Sequence, residues 1–167
     1  MEDSKLNPAQ KLQEVLKDFN TAMLVTSSTT GSIHSRPMAI ADRDERGTLW
    51  FVTSLTNDSV KEIERSSMIN VAMQGKVKFV SMTCNAQVVR DRARLDKVWN
   101  DSMKLWFPKG KEDPDIIFIQ ATPQIGEYWD NSGLNAFKFA IEAVKALASG
   151  TEMKTEKTQH AVVARPS

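Results

Sequence analysis

Cysteine and histidine are scarce in this chain, and their scarcity excludes several kinds of site. The sequence has one cysteine, Cys84, and two histidines, His34 and His160. An internal disulfide needs a second thiol, and the cysteine and histidine spacings of zinc sites cannot be formed. No motif pairs a histidine with a serine or cysteine nucleophile, so a catalytic triad is not expected. We expect a cytoplasmic protein without a metal site, in which Cys84 is a buried apolar residue and His34 a half-exposed strand residue without a catalytic role.

Long apolar runs and an excess of one charge are missing as well. The densest apolar run is Ile116-Ile117-Phe118-Ile119, far short of the roughly 18 residues that span a bilayer. Charged residues interrupt the N-terminal segment, which therefore lacks the apolar stretch of a secretory signal. Lysine and arginine total 22 against 21 aspartates and glutamates, a formal net charge of +1. We therefore expect neither a membrane nor a nucleic acid as a partner.

What the chain does have is the composition of an ordinary globular domain. It has 167 residues, of which 41% are hydrophobic and 26% charged, which suffices for one domain with a sizeable core. We place this domain at residues 1–150 and a polar tail at 151–167. The strands cluster instead of alternating with helices, which predicts an α+β fold, mainly β, built on an antiparallel barrel with flanking helices. The predicted helices cover residues 8–19, 59–66, 91–107 and 132–148, and the predicted strands 21–27, 33–42, 48–53, 69–74, 78–89, 116–122 and 125–130.

Three neighbouring segments carry features that can hold an anion. They are Ser35-Arg36-Pro37-Met38 in the second strand, Phe51-Val52-Thr53-Ser54 at the end of the third, and Asn57-Asp58-Ser59-Val60-Lys61 at the start of the second helix. Ser59 and Glu62 match the capping box, and the N–H groups of a helix start attract a phosphate, as do the charges of Arg36 and Lys61. Pro37 indicates an edge strand with main-chain groups free for a flat ring. Without a ligand, the same residues would be an ordinary cap, solvated charges and a proline that protects a sheet edge.

The order of these motifs resembles one family. An Arg-Pro-Met strand, a strand ending in Phe-Val-Thr-Ser, and a Ser-x-Lys-x-Ile helix start are similar to the FMN-binding split barrel proteins related to pyridoxamine 5'-phosphate oxidase. Within that superfamily the resemblance is greatest to the general stress protein 26 group, because it extends over roughly residues 10–148. The further matching segments are Phe79-Val80-Ser81, Asp91-Arg92, Leu105-Trp106-Phe107-Pro108-Lys109-Gly110, Asp113-Pro114-Asp115 and Glu127-Tyr128-Trp129-Asp130.

The resemblance implies a six-stranded split barrel that forms a homodimer, with two FMN molecules in grooves between the subunits. The residues implied to bind the phosphate and the ribityl chain are Arg36, Ser59 and Lys61, with Thr53 and Ser54 beside them. Main-chain groups of Arg36, Pro37 and Met38, and of Val52, would meet the isoalloxazine ring. Trp106 would reach the ring from the partner subunit, although an aromatic residue on an amphipathic helix is more often part of a core or a dimer interface.

Departures from the family decide which function the resemblance favours. True oxidases end in a strand with an Arg-x-His segment that holds the pyridoxal phosphate substrate, and this chain has nothing similar after Trp129, which disfavours oxidation of vitamin B6. Cys84 stands where members of the stress group usually have glycine. The leading expectation is an FMN-dependent oxidoreductase of unknown substrate, with NAD(P)H or a small molecule as redox partner. The flavin would supply the reactivity, so no side chain needs to act as acid or base. The alternative is a flavin-binding module without turnover that senses, carries or buffers flavin.

Overall fold

The computed structural model describes residues 7–132 and 160–164. The predicted helix at 132–148 and most of the predicted tail therefore lie outside the described residues. The helices are α1 (Pro8–Leu16), α2 (Asp58–Arg65) and α3 (Arg92–Val98), followed by a 3-10 helix (Asp101–Leu105). The strands are β1 (Thr21–Ser27), β2 (Ile33–Ala39), β3 (Asp42–Arg43), β4 (Leu49–Ser54), β5 (Met68–Gln74), β6 (Lys78–Val89), β7 (Ile116–Asp130) and β8 (His160–Ala164).

The strands form one antiparallel sheet that curls into a half-barrel. Their order is β2, β1, β5, β6, β7, β4 and β3, and β8 pairs with β7. The α+β split-barrel fold is thus confirmed, but the described residues form an eight-stranded sheet where six strands were expected. One additional strand is the two-residue β3, and another is β8, which lies in the segment that was predicted to be a polar tail.

The strands at the two ends of the sheet, β2 and β3, follow one another in the chain. Ile40 and Ala41 separate β2, at one end of the strand order, from β3 at the other. The Ala41 N–H donates to the Trp50 carbonyl at 2.8 Å, so the chain changes partner from β1 to β4 at this point. The single strand predicted at 33–42 is therefore two strands, and the connection between them closes one end of the barrel.

Pro123 does not end the seventh strand, contrary to the prediction of two strands at 116–122 and 125–130. β7 runs without a break from Ile116 to Asp130. The register with β6 shifts between Thr83, opposite Ile125, and Cys84, opposite Pro123. The extra residue on β7 forms an irregularity that accommodates a proline, which has no N–H for the ladder.

The long helix predicted at 91–107 is two shorter segments. Asp91 caps α3 as expected, with its side chain accepting from the Arg94 N–H at 2.8 Å. The helix ends at Val98, and Asn100 caps the 3-10 helix through its side-chain oxygen, which lies 3.1 Å from the Ser102 nitrogen. Asparagine side chains compete with the helical backbone for hydrogen bonds, which favours a new helix start over continuation.

Two apolar clusters cover opposite faces of the curled sheet. The larger cluster lies inside the curl and contains Leu24, Phe51, Met82 and Ile119, together with Leu12 and Leu16 of α1. The smaller contains Trp50, Leu95, Ile116 and Phe118 and packs under α3. Successive strand residues point to opposite faces, so β4 contributes to both clusters.

The described helices serve as covers for the sheet. The Arg94 guanidinium of α3 stacks 3.9 Å from the Trp50 ring centroid and pairs with Asp42 of β3, which fixes α3 on the outer face. α2 contacts β1 and β6 and covers the sheet near the β1–β2 turn. Within the described part of the chain, the helices are too short or too polar to cross a bilayer.

Candidate functional site

The two ends of the curled sheet meet along a line that we call the split. It is formed by β2 on one side and by β4 on the other, and the two strands contact each other. At the closed end the split is joined by the hydrogen bond from Ala41 to Trp50. At the other end the chain leaves β4 and turns into α2. This end of the split is therefore next to a helix start.

On β2, alternate main-chain groups face the split. The Ile40 N–H donates to the Asn20 carbonyl on the β1 side at 2.9 Å, whereas the Ala41 N–H points the other way. In a strand, neighbouring residues direct their N–H and C=O groups to opposite edges. The main-chain groups of Arg36 and Met38 therefore face β1, and Pro37 directs its carbonyl to the split. A proline at this position removes no ladder hydrogen bond, which explains why the strand tolerates it.

On β4, the main-chain groups of Val52 face the split. The Trp50 carbonyl accepts from Ala41 across the split, so Val52, two residues later, directs its N–H and C=O to the same edge. The opposite edge of β4 pairs with β7, as in Phe51 opposite Ile119. Of the main-chain groups predicted to meet a ring, those of Pro37 and Val52 thus line the split, whereas those of Arg36 and Met38 belong to the ladder with β1.

The start of α2 is capped by Asn57 and not, as predicted, by Ser59. The Asn57 side-chain oxygen accepts from the Ser59 N–H at 3.0 Å and from the Ser59 hydroxyl at 2.7 Å. Ser59 is fully buried. The segment Asn57-Asp58-Ser59 offers three side chains that can cap a helix, so local pattern alone could not choose among them.

Glu62 does not close a capping box either, because its carboxylate is turned toward β1 and β2. Its side chain is 7% exposed. Oε2 lies 2.8 Å from an Arg36 guanidinium nitrogen and accepts from the Thr26 hydroxyl at 2.6 Å, while Oε1 lies 2.7 Å from His34 Nδ1. We call these four residues the Glu62 cluster. It binds the helix to both strands of the first hairpin.

Hydrogen bonds within this cluster fix the charge of the Glu62 carboxylate. The hydrogen bond from Arg36, with further ones from Thr26 and His34, lowers the pKa of Glu62 to about 2 even though burial opposes the shift. The carboxylate is therefore ionised at neutral pH and compensates the positive charge of Arg36. The Arg36 side chain remains 26% exposed, so part of its guanidinium is still accessible next to α2.

Lys61, next to Glu62 in α2, is an exposed cation. Its side chain is 71% exposed, and its amino group lies 3.9 Å from the Asp58 carboxylate. Exposed pairs of this kind contribute little to stability, so the amino group can exchange partners readily. Of the predicted residues, Arg36 thus pairs with Glu62, and Lys61 follows Asp58 on the exposed side of α2.

The remaining predicted side chains are divided between the two faces of β4. Thr53 is buried on the face that carries Phe51, and Val52 packs against the outer cluster. The Ser54 hydroxyl lies 3.0 Å from that of Thr56, and the Ser54 carbonyl accepts from the Asn57 N–H at 2.9 Å. Ser54 therefore lies directly before the helix start.

Trp106 is separate from this group of residues. It follows the 3-10 helix and is 80% exposed, as is the neighbouring Leu105 at 81%. Phe107 turns inward and packs on Trp99 with ring centroids 6.5 Å apart. The described residues therefore leave Trp106 uncovered.

Sequence reasoning missed the contacts of Glu62 with His34 and Thr26. They join residues 28 and 36 positions apart, and no local spacing signals such pairs. A cavity of about 720 Å³ also lies outside the predicted site, between α1, β7 and β8, and is lined by residues that include Leu12, Gln120 and Val163. None of the predicted site residues lines it.

The family of the chain follows from its sequence over nearly its whole length. The model of the family described as pyridoxamine 5'-phosphate oxidase like matches residues 7–154. The chain belongs to this family. No curated protein matches the chain.

Solved structures of this pyridoxamine 5'-phosphate oxidase-like family share the fold. A Jannaschia protein assigned to general stress protein 26 is 23% identical with a TM-score of 0.68, and the match covers 93% of this chain and 96% of that one. General stress protein 26 from Bacillus anthracis is also 23% identical, with a TM-score of 0.63 and coverage of 70% and 92%. A general stress FMN/FAD binding protein from Xanthomonas citri is 26% identical, with a TM-score of 0.63 and coverage of 75% and 89%.

Proposed function

We propose that this chain binds FMN along the split and works as an FMN-dependent oxidoreductase of the general stress protein 26 group, as a cytoplasmic homodimer. The observation that carries the proposal is the split itself. Main-chain groups of Pro37 on one side and of Val52 on the other line it without a hydrogen-bond partner among the described residues, and the partly exposed cations Arg36 and Lys61 lie near α2. A neighbour described as FMN/FAD binding supports the same reading.

The end of the split near α2 suits the phosphate. Arg36 and Lys61 offer charge-assisted hydrogen bonds, and the start of α2 carries the positive end of the helix dipole. Ser54 lies directly before this helix start. Ser59 contributes indirectly in this arrangement, because its buried hydroxyl already donates to Asn57 and thereby fixes the helix start.

The edges of the split suit a flat heterocycle. An isoalloxazine ring has both donors and acceptors on its rim, and Pro37 supplies an acceptor while Val52 supplies one donor and one acceptor. Such main-chain contacts orient a ring and leave its reactive face to the substrate. Thr53 lies on the inner face of β4, beside these groups. Bound FMN would supply hydride or electron transfer, and the protein would position the ring and exclude water.

A second subunit would cover the exposed aromatic residue. Leu105 and Trp106 form an adjacent apolar pair that is four-fifths exposed. Arg92 donates to the carbonyls of Lys111 and Asp113 at 2.9 and 2.8 Å, which holds the loop that follows this pair. A fixed apolar projection is typical of an interface. We propose that Trp106 packs into the partner subunit beside the flavin.

The first test is the visible spectrum of purified protein, followed by FMN titration of the K61A and R36A variants. We expect yellow protein, and in each variant a loss of about 1.5–3 kcal/mol for the missing charge-assisted contact, roughly ten- to a hundredfold in Kd. K17A, which removes an exposed lysine of the segment after α1, is the matched control. Unaltered FMN affinity in both K61A and R36A would overturn the phosphate site, and colourless protein that ignores added FMN would overturn the function.

A second experiment separates turnover from storage. The FMN-loaded protein is mixed with NADH or NADPH without oxygen, and then exposed to air. Bleaching of the flavin by a nicotinamide and rapid recovery in air would support the oxidoreductase. A flavin that no nicotinamide reduces would instead identify a binding module that senses, carries or buffers flavin. Release of hydrogen peroxide with pyridoxine phosphate would support oxidation of vitamin B6, which the chain's last segment disfavours.

A further inference from the structure

His34 lies in direct contact with the cation that we assign to the phosphate. Its Nδ1 is 3.3 Å from an Arg36 guanidinium nitrogen and 2.7 Å from Glu62 Oε1. Residues 34 and 36 lie on the same face of β2, because strand residues two apart share a face. The His34 side chain is 46% exposed, in contrast to that of Glu62. One ring edge is thus fixed by the cluster while the side chain as a whole remains accessible.

The contacts determine which ring nitrogen carries the proton. Glu62 is ionised, so its oxygens accept hydrogen bonds only. His34 Nδ1 must therefore donate to Oε1, while Arg36 pairs with Oε2 of the same carboxylate through a guanidinium nitrogen other than the one beside His34. This leaves Nε2 as the nitrogen that can gain a proton. An imidazole held in this way is an acceptor at Nε2 when neutral and a donor when charged.

We propose that His34 is a further binding residue for the ligand's phosphate and takes up one proton at Nε2 when that phosphate binds. The proposal rests on the proposed binding of FMN. A phosphate beside Arg36 adds negative charge within reach of the imidazole and stabilises its protonated form. The proton comes from solvent and no bond to carbon or phosphorus changes.

The charged groups that contact His34 make this uptake possible. Within the described residues they are Glu62 from α2, which favours the charged ring, and Arg36 from β2, which opposes it. β1 contributes Thr26, an uncharged group that accepts from Arg36 and donates to Glu62. By reciprocity, lower pH strengthens the binding of the phosphate as much as the phosphate strengthens binding of the proton.

The test measures FMN and riboflavin affinity at about pH 6 and about pH 8.5, in the range where histidine titrates. The variants are H34Q, which keeps a side-chain hydrogen bond to Glu62, and H160Q. H160Q is a matched control because His160 also pairs with a glutamate, Glu127, in the strand pair of β7 and β8. The phosphate of FMN also titrates near pH 6. This effect is common to all variants, so it cancels when the Kd of a variant is divided by that of wild type at the same pH.

We expect H34Q to bind FMN about five- to tenfold more weakly than wild type near pH 6, and equally well near pH 8.5, as for the loss of one charge-assisted contact. The riboflavin affinity of H34Q should equal that of wild type at both pH values. The FMN affinity of H160Q should also equal that of wild type at both. In NMR spectra of the wild type, FMN and inorganic phosphate should raise the titration midpoint of His34 and leave that of His160 in place. This second readout needs no substitution at His34.

The outcomes separate the two proposals. Parallel pH profiles of wild type and H34Q, with an unmoved His34 midpoint, would overturn the role of His34 and leave FMN binding intact. An equal loss for riboflavin would also overturn it, because the effect would then not depend on phosphate. Absence of FMN binding at both pH values would overturn the proposed function, and the role of His34 with it.

Discussion

Glu62 is the residue that ties α2 to the first hairpin. It lies in a helix, and its three partners lie in β1 and β2. A buried carboxylate is costly unless it is paired and hydrogen-bonded, and here both oxygens are satisfied. Removing one partner of such a pair leaves an uncompensated charge, which is more harmful than replacing both. The spacing of Ser59 and Glu62 predicted a capping box, and this prediction is wrong. The Glu62 carboxylate bonds to residues of β1 and β2 instead of to the backbone at the helix start.

The Glu62 carboxylate makes stability depend on pH in the acid range. Its pKa is about 2 in the folded protein, against an ordinary value of about 4.3 in the unfolded chain. Between these values the unfolded state binds more protons, so the free energy of unfolding falls as the pH falls. The contribution is complete above about pH 5, and about 2 kcal/mol of it is lost by about pH 3.

Urea unfolding at several pH values checks this expectation. The E62Q variant should be less stable than wild type at about pH 6, and the two should converge as the pH approaches 3. E64Q, which changes an exposed glutamate of the same helix, is the control and should follow the wild type throughout. A constant difference between E62Q and wild type across this range would show that the ionised carboxylate is not the cause.

At the scale of elements, α1 is fixed at both ends by side chains. Asn7 and Gln10 form a reciprocal cap at its start, and Lys11 pairs with the buried Asp130 at 3.2 Å. At its end, the Arg43 guanidinium donates to the carbonyls of Leu16 and Phe19, the latter at 2.6 Å. The last carbonyls of a helix have no partners within it and carry the negative end of the dipole. Arg43 thus connects α1 to β3 through groups that would otherwise require water.

Substitution of Arg43 tests the importance of this connection. We expect R43A to lower the free energy of unfolding by about 1–3 kcal/mol, because two charge-assisted hydrogen bonds to partly buried carbonyls are lost. R46A is the matched control, since Arg46 lies in the following turn and is exposed. Thermal unfolding followed by circular dichroism gives the comparison. Equal midpoints for R43A and R46A would contradict the proposed anchoring of α1.

Local signals predicted the elements well where they depended on nearby residues. The bounds of β1 and β6 match the alternation of apolar residues, and Asn7-Pro8 marks the start of α1 as predicted. The elements that differ depend on distant partners. β3 exists because Trp50 accepts from Ala41, and β7 continues through Pro123 because β6 shifts its register. β8, whose sequence is His-Ala-Val-Val-Ala, forms within the predicted polar tail because it pairs with the edge of β7, where His160 also stacks on Trp129 with ring centroids 5.0 Å apart.

At the scale of the whole molecule, the proposed dimer would depend on the exposed pair at Leu105 and Trp106. If the second copy covers this pair, W106A should shift the protein from dimer to monomer at micromolar concentration, because a buried tryptophan is a typical interface anchor. Light scattering after size-exclusion chromatography measures the mass directly. K104A removes a neighbouring exposed side chain and should leave the mass unaltered. A dimer that persists in W106A would place the interface elsewhere.

The resemblance in sequence sufficed for the family and the class of fold. Arg36 contacts α2 through Glu62, and Lys61 belongs to that helix, while their binding of a phosphate stays a prediction. The resemblance could not supply the charge states or the partners within the site, since Thr26, His34 and Glu62 come from three separate elements. Those contacts depend on strand register and on how α2 is set over the sheet. Spacing along the chain carries no information about either.

The sheet is unequally stiff around its circumference. β7 bonds to β6 along one edge and to β4 and β8 along the other, so bending it would break ladders on both sides at once. Across the split, the described main chain is joined at the corner where Ala41 meets Trp50. The split can therefore widen at its far end by a small rotation about that corner, and this rotation breaks few backbone hydrogen bonds. If FMN binds in the split as proposed, opening at this one line would let the flat ring enter while the paired strands of the rest of the sheet stay in place.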